Sequence, residues 1–192
     1  MRGRERSRVV IKLTLLFRIL NNRKKRLNEG HKFELESCDF GMQNCVKVME
    51  SEGAEECHLV SAENYFIMDL DHSLKREVFE RLRVLAQQWI GDVVELAGTS
   101  IYGIRRYTRG AWLLGHLDHL KTHVISAILN IGQRNMEEDW PLQIYDNAGV
   151  LHEVRLKPGE MVWYESARLT HGRVEKLRGA SFENIFVHYM PK

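Results

Sequence analysis

The sequence predicts a mainly β (α+β) fold, a small β-sandwich or jelly roll supported by one N-terminal helix. Before Gly91, apolar residues recur at steps of three and four, as on one face of a helix. After Gly91, several segments are rich in isoleucine, valine, tyrosine and phenylalanine, and some alternate apolar with polar residues. One helix followed by short strands is typical of a sandwich with a helical support.

The predicted helix begins at Asp71–His72–Ser73, where Ser73 is the expected N-cap. Its apolar face is formed by Leu74, Val78, Leu82, Leu85 and Trp89. A short strand is predicted just before it, at Tyr65–Leu70. We expect this helix to support the sheet and not to carry chemistry.

Six further strands are predicted, and turn signals separate them. The strands are Ser100–Tyr107, Thr122–Ile131, Leu142–Tyr145, Leu151–Leu156, Met161–Tyr164 and Phe182–Tyr189. The turn signals are Arg109–Gly110, Asp146–Asn147–Ala148–Gly149 and Pro158–Gly159. The last two signals predict tight connections between antiparallel strands.

The chain divides by composition into a basic and mixed segment, residues 1–60, and one domain, residues 61–192. Residues 1–26 hold ten basic side chains against the single acid Glu5, so this segment is either a solvated tail or a contact for anionic membrane or nucleic acid. The apolar stretch Val9–Leu20 is too short to span a membrane and fits an amphipathic helix. No signal-peptide cleavage site follows it, which leaves a cytoplasmic location as the default expectation.

The composition limits other functional classes. The net charge of +2 is too small to predict a nucleic-acid partner across the whole molecule. The three cysteines are Cys38, Cys45 and Cys57, and their odd number and irregular spacing argue against a disulfide framework. We assign them no function.

His116–Leu117–Asp118 is the first candidate for a metal site. In an extended strand the two polar side chains point to the same side, so both can bind one ion. His171, in Thr170–His171–Gly172–Arg173, is the candidate third ligand. Two histidines and one carboxylate on one face leave coordination sites open, as in iron(II) oxygenases. With 9 His and 26 acidic residues in the chain, His-x-Asp alone also fits polar residues on a surface hairpin.

The order of segments around this triplet is more specific. They are Tyr102–Tyr107, His116–Asp118, Thr122–Ser126, Lys157–Val162, Tyr164–Ala167, His171–Arg173 and Asn184–Tyr189. This order resembles the catalytic domain of the prolyl 4-hydroxylase-like family of 2-oxoglutarate- and iron(II)-dependent dioxygenases. The resemblance covers roughly residues 65–191.

The resemblance implies a double-stranded β-helix, a form of jelly roll, with His116, Asp118 and His171 as ligands of Fe(II). It also implies 2-oxoglutarate as co-substrate, with ascorbate as a further candidate cofactor. The expected reaction is hydroxylation of a peptide or protein substrate, at peptidyl-proline in the first instance. The family has a tyrosine nine residues before the first ligand, so Tyr107 is expected to hydrogen-bond 2-oxoglutarate.

The sequence departs from the family at one position. The prolyl hydroxylases have a lysine ten residues after the last ligand, which pairs with the far carboxylate of 2-oxoglutarate, and Ser181 stands there in this chain. A buried carboxylate still needs a cation or several donors. Arg173 is the first candidate and Arg105, on the same strand face as Tyr107, is the second. Lys176 and Arg178 are further options.

Two other functional classes remain open from the sequence. One is a non-enzymatic jelly-roll module that binds carbohydrate or peptide. The other is a peripheral membrane or nucleic-acid adaptor that uses residues 1–26, which is compatible with an enzymatic domain because it uses a different part of the chain. Loss of the family's lysine also fits an inactive relative of the dioxygenases.

Overall fold

Two antiparallel sheets and one helix make up the described part of the chain. The computed structural model describes residues 9–12, 64–91 and 93–192. The elements in chain order are β1 (Val9–Lys12), β2 (Tyr65–Met68), α1 (His72–Ile90), β3 (Leu96–Ser100), β4 (Ile104–Thr108), β5 (Leu113–His116), β6 (Ile125–Arg134), β7 (Leu142–Tyr145), β8 (Leu151–Val154), β9 (Glu160–Tyr164), β10 (His171–Arg173) and β11 (Ser181–Pro191). The predicted jelly-roll class is confirmed.

The strand order defines a major and a minor sheet. The major sheet runs β1-β9-β6-β11-β4-β2, and β3 pairs with β11 beyond the end of β4. The minor sheet runs β5-β10-β7-β8. Strands β5 and β10 of this minor sheet carry the candidate metal ligands His116 and His171.

Helix α1 covers the outer face of the major sheet. Its buried residues are Leu74, Val78, Leu82 and Ala86, and Leu85 and Trp89 pack against the same cluster. The N-cap is Asp71, whose carboxylate accepts from the Leu74 amide at 2.8 Å, so the expectation of Ser73 was wrong. Ser73 instead donates its hydroxyl to Asp71. An aspartate one turn before the first buried leucine can therefore cap the helix as well as a serine can.

Alternation along the central strands separates two apolar layers. On β6, Ala127 and Leu129 face the helix, while Ile128 belongs to the cluster shared with the minor sheet. On β9, Trp163 faces the helix and Tyr164 faces the minor sheet. Because side chains alternate along a strand, Ser126, two residues before Ile128, also faces the space between the sheets.

Several strand boundaries differ from the prediction. The predicted strand Ser100–Tyr107 is divided into β3 and β4 around Gly103, which has a φ of 125°. The Asp146–Gly149 turn joins the antiparallel pair β7 and β8 as expected. The expectation for Pro158–Gly159 was wrong, because that turn joins β8 to β9, which lie in different sheets and do not pair.

The N-terminal segment is described only at β1. Val9–Lys12 is a strand that pairs antiparallel with β9, so the predicted helix over Val9–Leu20 was wrong for these four residues. The rest of residues 1–63, with the three cysteines and most of the basic cluster, lies outside the described residues. Contact of residues 1–26 with membrane or nucleic acid therefore stays a prediction.

Within the part that is described, no helix is long and apolar enough to cross a membrane.

Close approach of β5 and β10 predicts different effects for two glycine substitutions. A Cβ at Gly172 would lie 2.7 Å from the Leu114 carbonyl oxygen, whereas a Cβ at Gly115 would meet only the Thr170 methyl at 3.5 Å. We expect Gly172→Ala to lower the free energy of unfolding by about 1–3 kcal/mol, since the two strands must separate. Gly115→Ala is the matched control and should change it much less. Equal losses in chemical denaturation would contradict this account of the strand contact.

Candidate metal centre

Strand pairing brings two histidines together. Strands β5 and β10 are antiparallel neighbours, and their register places His116 opposite His171. The two imidazole rings are 4.4 Å apart between centroids. Asp118 follows β5 by two residues, and its amide donates to the Ser166 carbonyl at 2.9 Å. One ligand atom from each of His116, Asp118 and His171 lies within 4.8 Å of the others, so the structure brings the predicted triplet together.

Backbone contacts orient both imidazoles. Nδ1 of His116 lies 2.8 Å from the Leu114 carbonyl, and Nδ1 of His171 lies 2.9 Å from the Leu169 carbonyl. Because a carbonyl oxygen only accepts, each Nδ1 carries the hydrogen and each Nε2 keeps a free lone pair. These two Nε2 atoms are 3.6 and 3.8 Å from Oδ1 of Asp118. Three donor atoms thus converge on one point.

The charges of these groups suit a divalent cation. Burial lowers the pKa of His171 to about 4, against the opposing effect of Asp118, so the imidazole is neutral at pH 7. Burial alone would raise the pKa of Asp118, but the surrounding imidazoles of His116, His171 and His188 hold it below its ordinary value. His171 and Asp118 are therefore present as a neutral nitrogen donor and a carboxylate, which are the forms that metals bind.

The donor set fits the iron(II) that the sequence resemblance implies. Two adjacent ligands of a first-row metal, at bond lengths of about 2.1 Å, are about 3 Å apart. The observed separations of 3.6 and 3.8 Å need only a small inward movement of the side chains to reach that spacing. Two imidazoles and one carboxylate are the protein ligands of non-haem iron(II) oxygenases.

A buried cation lies farther along β10. Arg173 is 2% exposed, and its guanidinium lies 4.7 Å from the ring centroids of both Trp140 and Phe182. Nη1 donates to the Trp140 carbonyl, but Nη2 has no hydrogen-bond partner in the described part of the chain. Burial lowers the pKa of Arg173 to about 10, so it stays charged at pH 7. Because buried charges are normally paired, the Arg173 guanidinium is suited to bind an anion.

Two tyrosines line the space near this arginine. Tyr107 is fully buried on β4, its ring is 5.1 Å from that of Trp140, and its hydroxyl is 3.5 Å from Nη1 of Arg105. The ring of Tyr164 is 4.7 Å from that of His171. Burial, with the nearby charge of Asp118, raises the pKa of Tyr164, and the charge of Arg173 opposes the rise. Tyr164 therefore lies close to both the metal ligands and Arg173.

The second candidate cation has different neighbours. The guanidinium of Arg105 lies 5.4 Å from the ring centroid of Tyr65 and 5.2 Å from that of Phe186. As predicted, Arg105 shares a strand face with Tyr107. Lys176 and Arg178 are exposed, and Arg178 pairs with Glu138 at 3.3 Å. Of the four predicted cations, Arg173 and Arg105 are buried within the fold.

Ser181 takes no part in this space. Its neighbour Phe182 contacts Arg173 and pairs in register with Tyr107, so Phe182 faces the gap between the sheets. Because side chains alternate along β11, Ser181 faces the opposite side. A lysine at position 181 would thus point away from Arg173.

A polar network behind Asp118 was not predicted from the sequence. Ser126 and Ser166 are fully buried, and their hydroxyls are 2.5 Å apart. Ser126 also contacts His188, whose ring is 3.8 Å from that of His123. The available signal was one serine within the apolar run of β6, but its partners are 40 and 62 residues away in sequence.

His119, next to Asp118, is exposed.

Comparison with known proteins gives structural relatives only. No family model and no curated protein matches the sequence. A prolyl-4-hydroxylase from Pseudomonas putida superposes with a TM-score of 0.61 at 15% identity, covering 97% of this chain and 93% of that one. A prolyl hydroxylase from Trichoplax adhaerens, in complex with a peptide fragment of hypoxia inducible factor, gives 0.62 at 14% identity, covering 97% and 84%.

A third similar structure is HygX from Streptomyces hygroscopicus, which has nickel and 2-oxoglutarate bound. It superposes with a TM-score of 0.57 at 17% identity, covering 100% of this chain and 88% of that one. At these identities the likeness concerns the fold. The described part of the chain therefore has the fold of the prolyl hydroxylases and other 2-oxoglutarate–iron(II) oxygenases.

Proposed function

We propose that this protein is a 2-oxoglutarate- and iron(II)-dependent dioxygenase. The observation that carries the proposal is the coexistence of two features between the sheets. One is the convergence of His116, Asp118 and His171 on a single point, and the other is the buried guanidinium of Arg173, whose Nη2 has no hydrogen-bond partner among the described residues. A metal that keeps open coordination sites satisfies the first feature, and a dicarboxylate co-substrate satisfies the second.

In this proposal each residue has a separate task. His116, Asp118 and His171 hold the iron, Arg173 pairs with the far carboxylate of 2-oxoglutarate, and Tyr107 adds a hydroxyl donor. Bound iron(II), with 2-oxoglutarate and oxygen, supplies the oxidation that inserts one oxygen atom into a substrate C–H bond and yields succinate and carbon dioxide. The aromatic rings of Trp140 and Phe182 keep water from the guanidinium, which strengthens its interaction with an anion.

The proposed substrate is peptidyl-proline. Support comes from the sequence resemblance to prolyl 4-hydroxylases and from two prolyl hydroxylases among the similar structures, one of them in complex with a peptide. His116 and Asp118 keep 13% and 15% of their side-chain surface exposed, whereas His171 keeps 3%. The proposed metal site is therefore accessible to a substrate from the side of β5. Substrate choice depends on the loops around such a site and not on the fold.

The central test is an oxygen-free titration of the full-length protein. With iron(II) bound, added 2-oxoglutarate should produce the weak visible charge-transfer band of an α-keto acid chelated to iron(II). His116→Ala should abolish the band, because one of three protein ligands is lost. His119→Ala is the matched control, since His119 is an exposed neighbour, and it should keep the band. A flat titration of the wild-type protein with iron bound would overturn the proposed co-substrate.

Replacement of Arg173 should affect the stability of the protein and its affinity for 2-oxoglutarate differently. We expect Arg173→Met to leave the metal-free protein at least as stable as wild type, because an uncompensated buried charge is replaced by an apolar side chain. The affinity for 2-oxoglutarate should fall at least about tenfold, since charge-assisted hydrogen bonds contribute about 1.5–3 kcal/mol. Denaturant unfolding and calorimetric titration measure the two effects.

Arg105→Met is the control for this pair, because Arg105 is the other buried cation near Tyr107. It should weaken 2-oxoglutarate binding less than Arg173→Met does. Loss of 2-oxoglutarate affinity in Arg105→Met, with affinity retained in Arg173→Met, would move the anchor to Arg105.

The substrate is tested with proline-rich peptides. In the presence of iron(II), 2-oxoglutarate and oxygen, a peptide substrate should gain the mass of one oxygen atom at proline, and an equal amount of succinate should form. His171→Ala should produce neither. Succinate formation without oxidation of any proline peptide would overturn the prolyl part of the proposal and leave the dioxygenase intact.

A further inference from the structure

The two oxygens of Asp118 face different groups. Oδ1 is directed toward Nε2 of His116 and of His171, at 3.6 and 3.8 Å. Oδ2 lies 3.3 Å from the Ser126 hydroxyl and 3.8 Å from Nδ1 of His188. One oxygen therefore belongs to the proposed metal site, and the other belongs to the polar network behind it.

Counting hydrogens fixes the direction of two contacts in this network, Ser166 to the His123 carbonyl and His188 to Ser126. Ser166 donates to the His123 carbonyl at 2.6 Å, because a carbonyl can only accept. The single hydrogen of Ser126 then has two acceptors, Ser166 at 2.5 Å and Oδ2 of Asp118 at 3.3 Å. His188 must supply the hydrogen in its 2.7 Å contact with Ser126, so its Nδ1 is protonated.

The Ser126 hydroxyl and its hydrogen-bond partners in this network are buried. Ser126 and Ser166 have no exposed surface, and His188 is 4% exposed. Ser126 lies between Ile125 and Ala127 in a strand that is otherwise apolar through Leu129, so the hydroxyl is not there for solvent contact. The backbone of Ser166 also holds Asp118, by accepting its amide at 2.9 Å. The network thus contacts both the main chain and the side chain of the same residue.

We infer that Ser126 is a positioning residue, which holds Oδ2 of Asp118 and thereby presents Oδ1 alone to the metal. Ser166 and His188 orient the Ser126 hydroxyl. The inference rests on the proposed metal site and extends it, because it explains how a flexible carboxylate is restricted to one ligand atom. If Oδ2 also bound the metal, it would occupy a coordination position that the co-substrate or oxygen needs.

The test measures metal affinity, not turnover. The full-length, metal-free protein is titrated with cobalt(II), whose visible spectrum reports coordination number, and with nickel(II) for weak variants. Ser126→Ala should weaken metal binding by about 10–100-fold and alter the cobalt spectrum. Ser181→Ala is the control, because it removes a buried hydroxyl that faces away from the space between the sheets. It should leave the metal affinity and the cobalt spectrum unchanged. Thermal unfolding of each metal-free variant shows whether the fold is retained.

A double-mutant comparison separates positioning from general damage. In an Asp118→Ala background, the two histidines still bind nickel(II), and Ser126→Ala should have no further effect on affinity. If Ser126→Ala weakens nickel binding equally in both backgrounds, the serine acts on the fold and the inference is overturned. Unchanged cobalt affinity and spectrum in Ser126→Ala would also overturn it. If wild-type protein binds no metal, the proposed function itself fails, and this inference fails with it.

Discussion

The register between β5 and β10 is the constraint on which the site depends. It places His116 directly opposite His171, and it requires a residue without a side chain at position 172, where a Cβ would meet the carbonyls of β5. The two backbone carbonyls that accept from the imidazoles come from the same local segments. Metal-ligand geometry is therefore a consequence of strand pairing, and the apolar layers of the sandwich keep that pairing fixed.

A second feature follows from the same strand. Because residues two apart share a face, β10 directs Arg173 into the gap between the sheets together with His171. The guanidinium is stacked between aromatic rings, and its Nη2 has no hydrogen-bond partner among the described residues. Folded proteins rarely leave a charge in that state without a functional reason. Under the proposed function, serine at position 181 is understandable, because Arg173 of β10 would supply the cation that the prolyl hydroxylases take from that position.

The periodicity of apolar residues predicted the elements that are formed by residues close together in the sequence. Helix α1 and the long strands follow from periodicity and from side-chain alternation. The sequence paired His116 with Asp118 by assuming an extended strand, but β5 ends at His116, and Asp118 reaches the site from the segment that follows. Strands β5 and β10 were not predicted, because they are four and three residues long and contain glycine and histidine where apolar residues would signal a strand. These two segments are strands because they pair with each other, and such pairing joins residues that are far apart in the sequence.

The polar network and the N-terminal strand illustrate the same limit. Ser126, Ser166 and His188 become neighbours only when strands β6 and β11 and the loop after β9 assemble, so no window of sequence reveals their contact. The spacing of apolar residues over Val9–Leu20 indicated a helix, yet Val9–Lys12 pairs with β9. The β-branched residues Val9, Val10 and Ile11 favour an extended strand, and this local preference was the better guide. The sequence resemblance, in contrast, predicted the spatial convergence of ligands 53 residues apart, because it encodes the fold as a whole.

The most direct measurement is a crystal structure of the full-length protein grown with manganese(II) and 2-oxoglutarate, with the metal located by anomalous scattering. The account predicts one strong peak bound by Nε2 of His116, Nε2 of His171 and a single oxygen of Asp118. It also predicts the far carboxylate of 2-oxoglutarate on the guanidinium of Arg173. A metal bound elsewhere, or a co-substrate with its carboxylate away from Arg173, would contradict it.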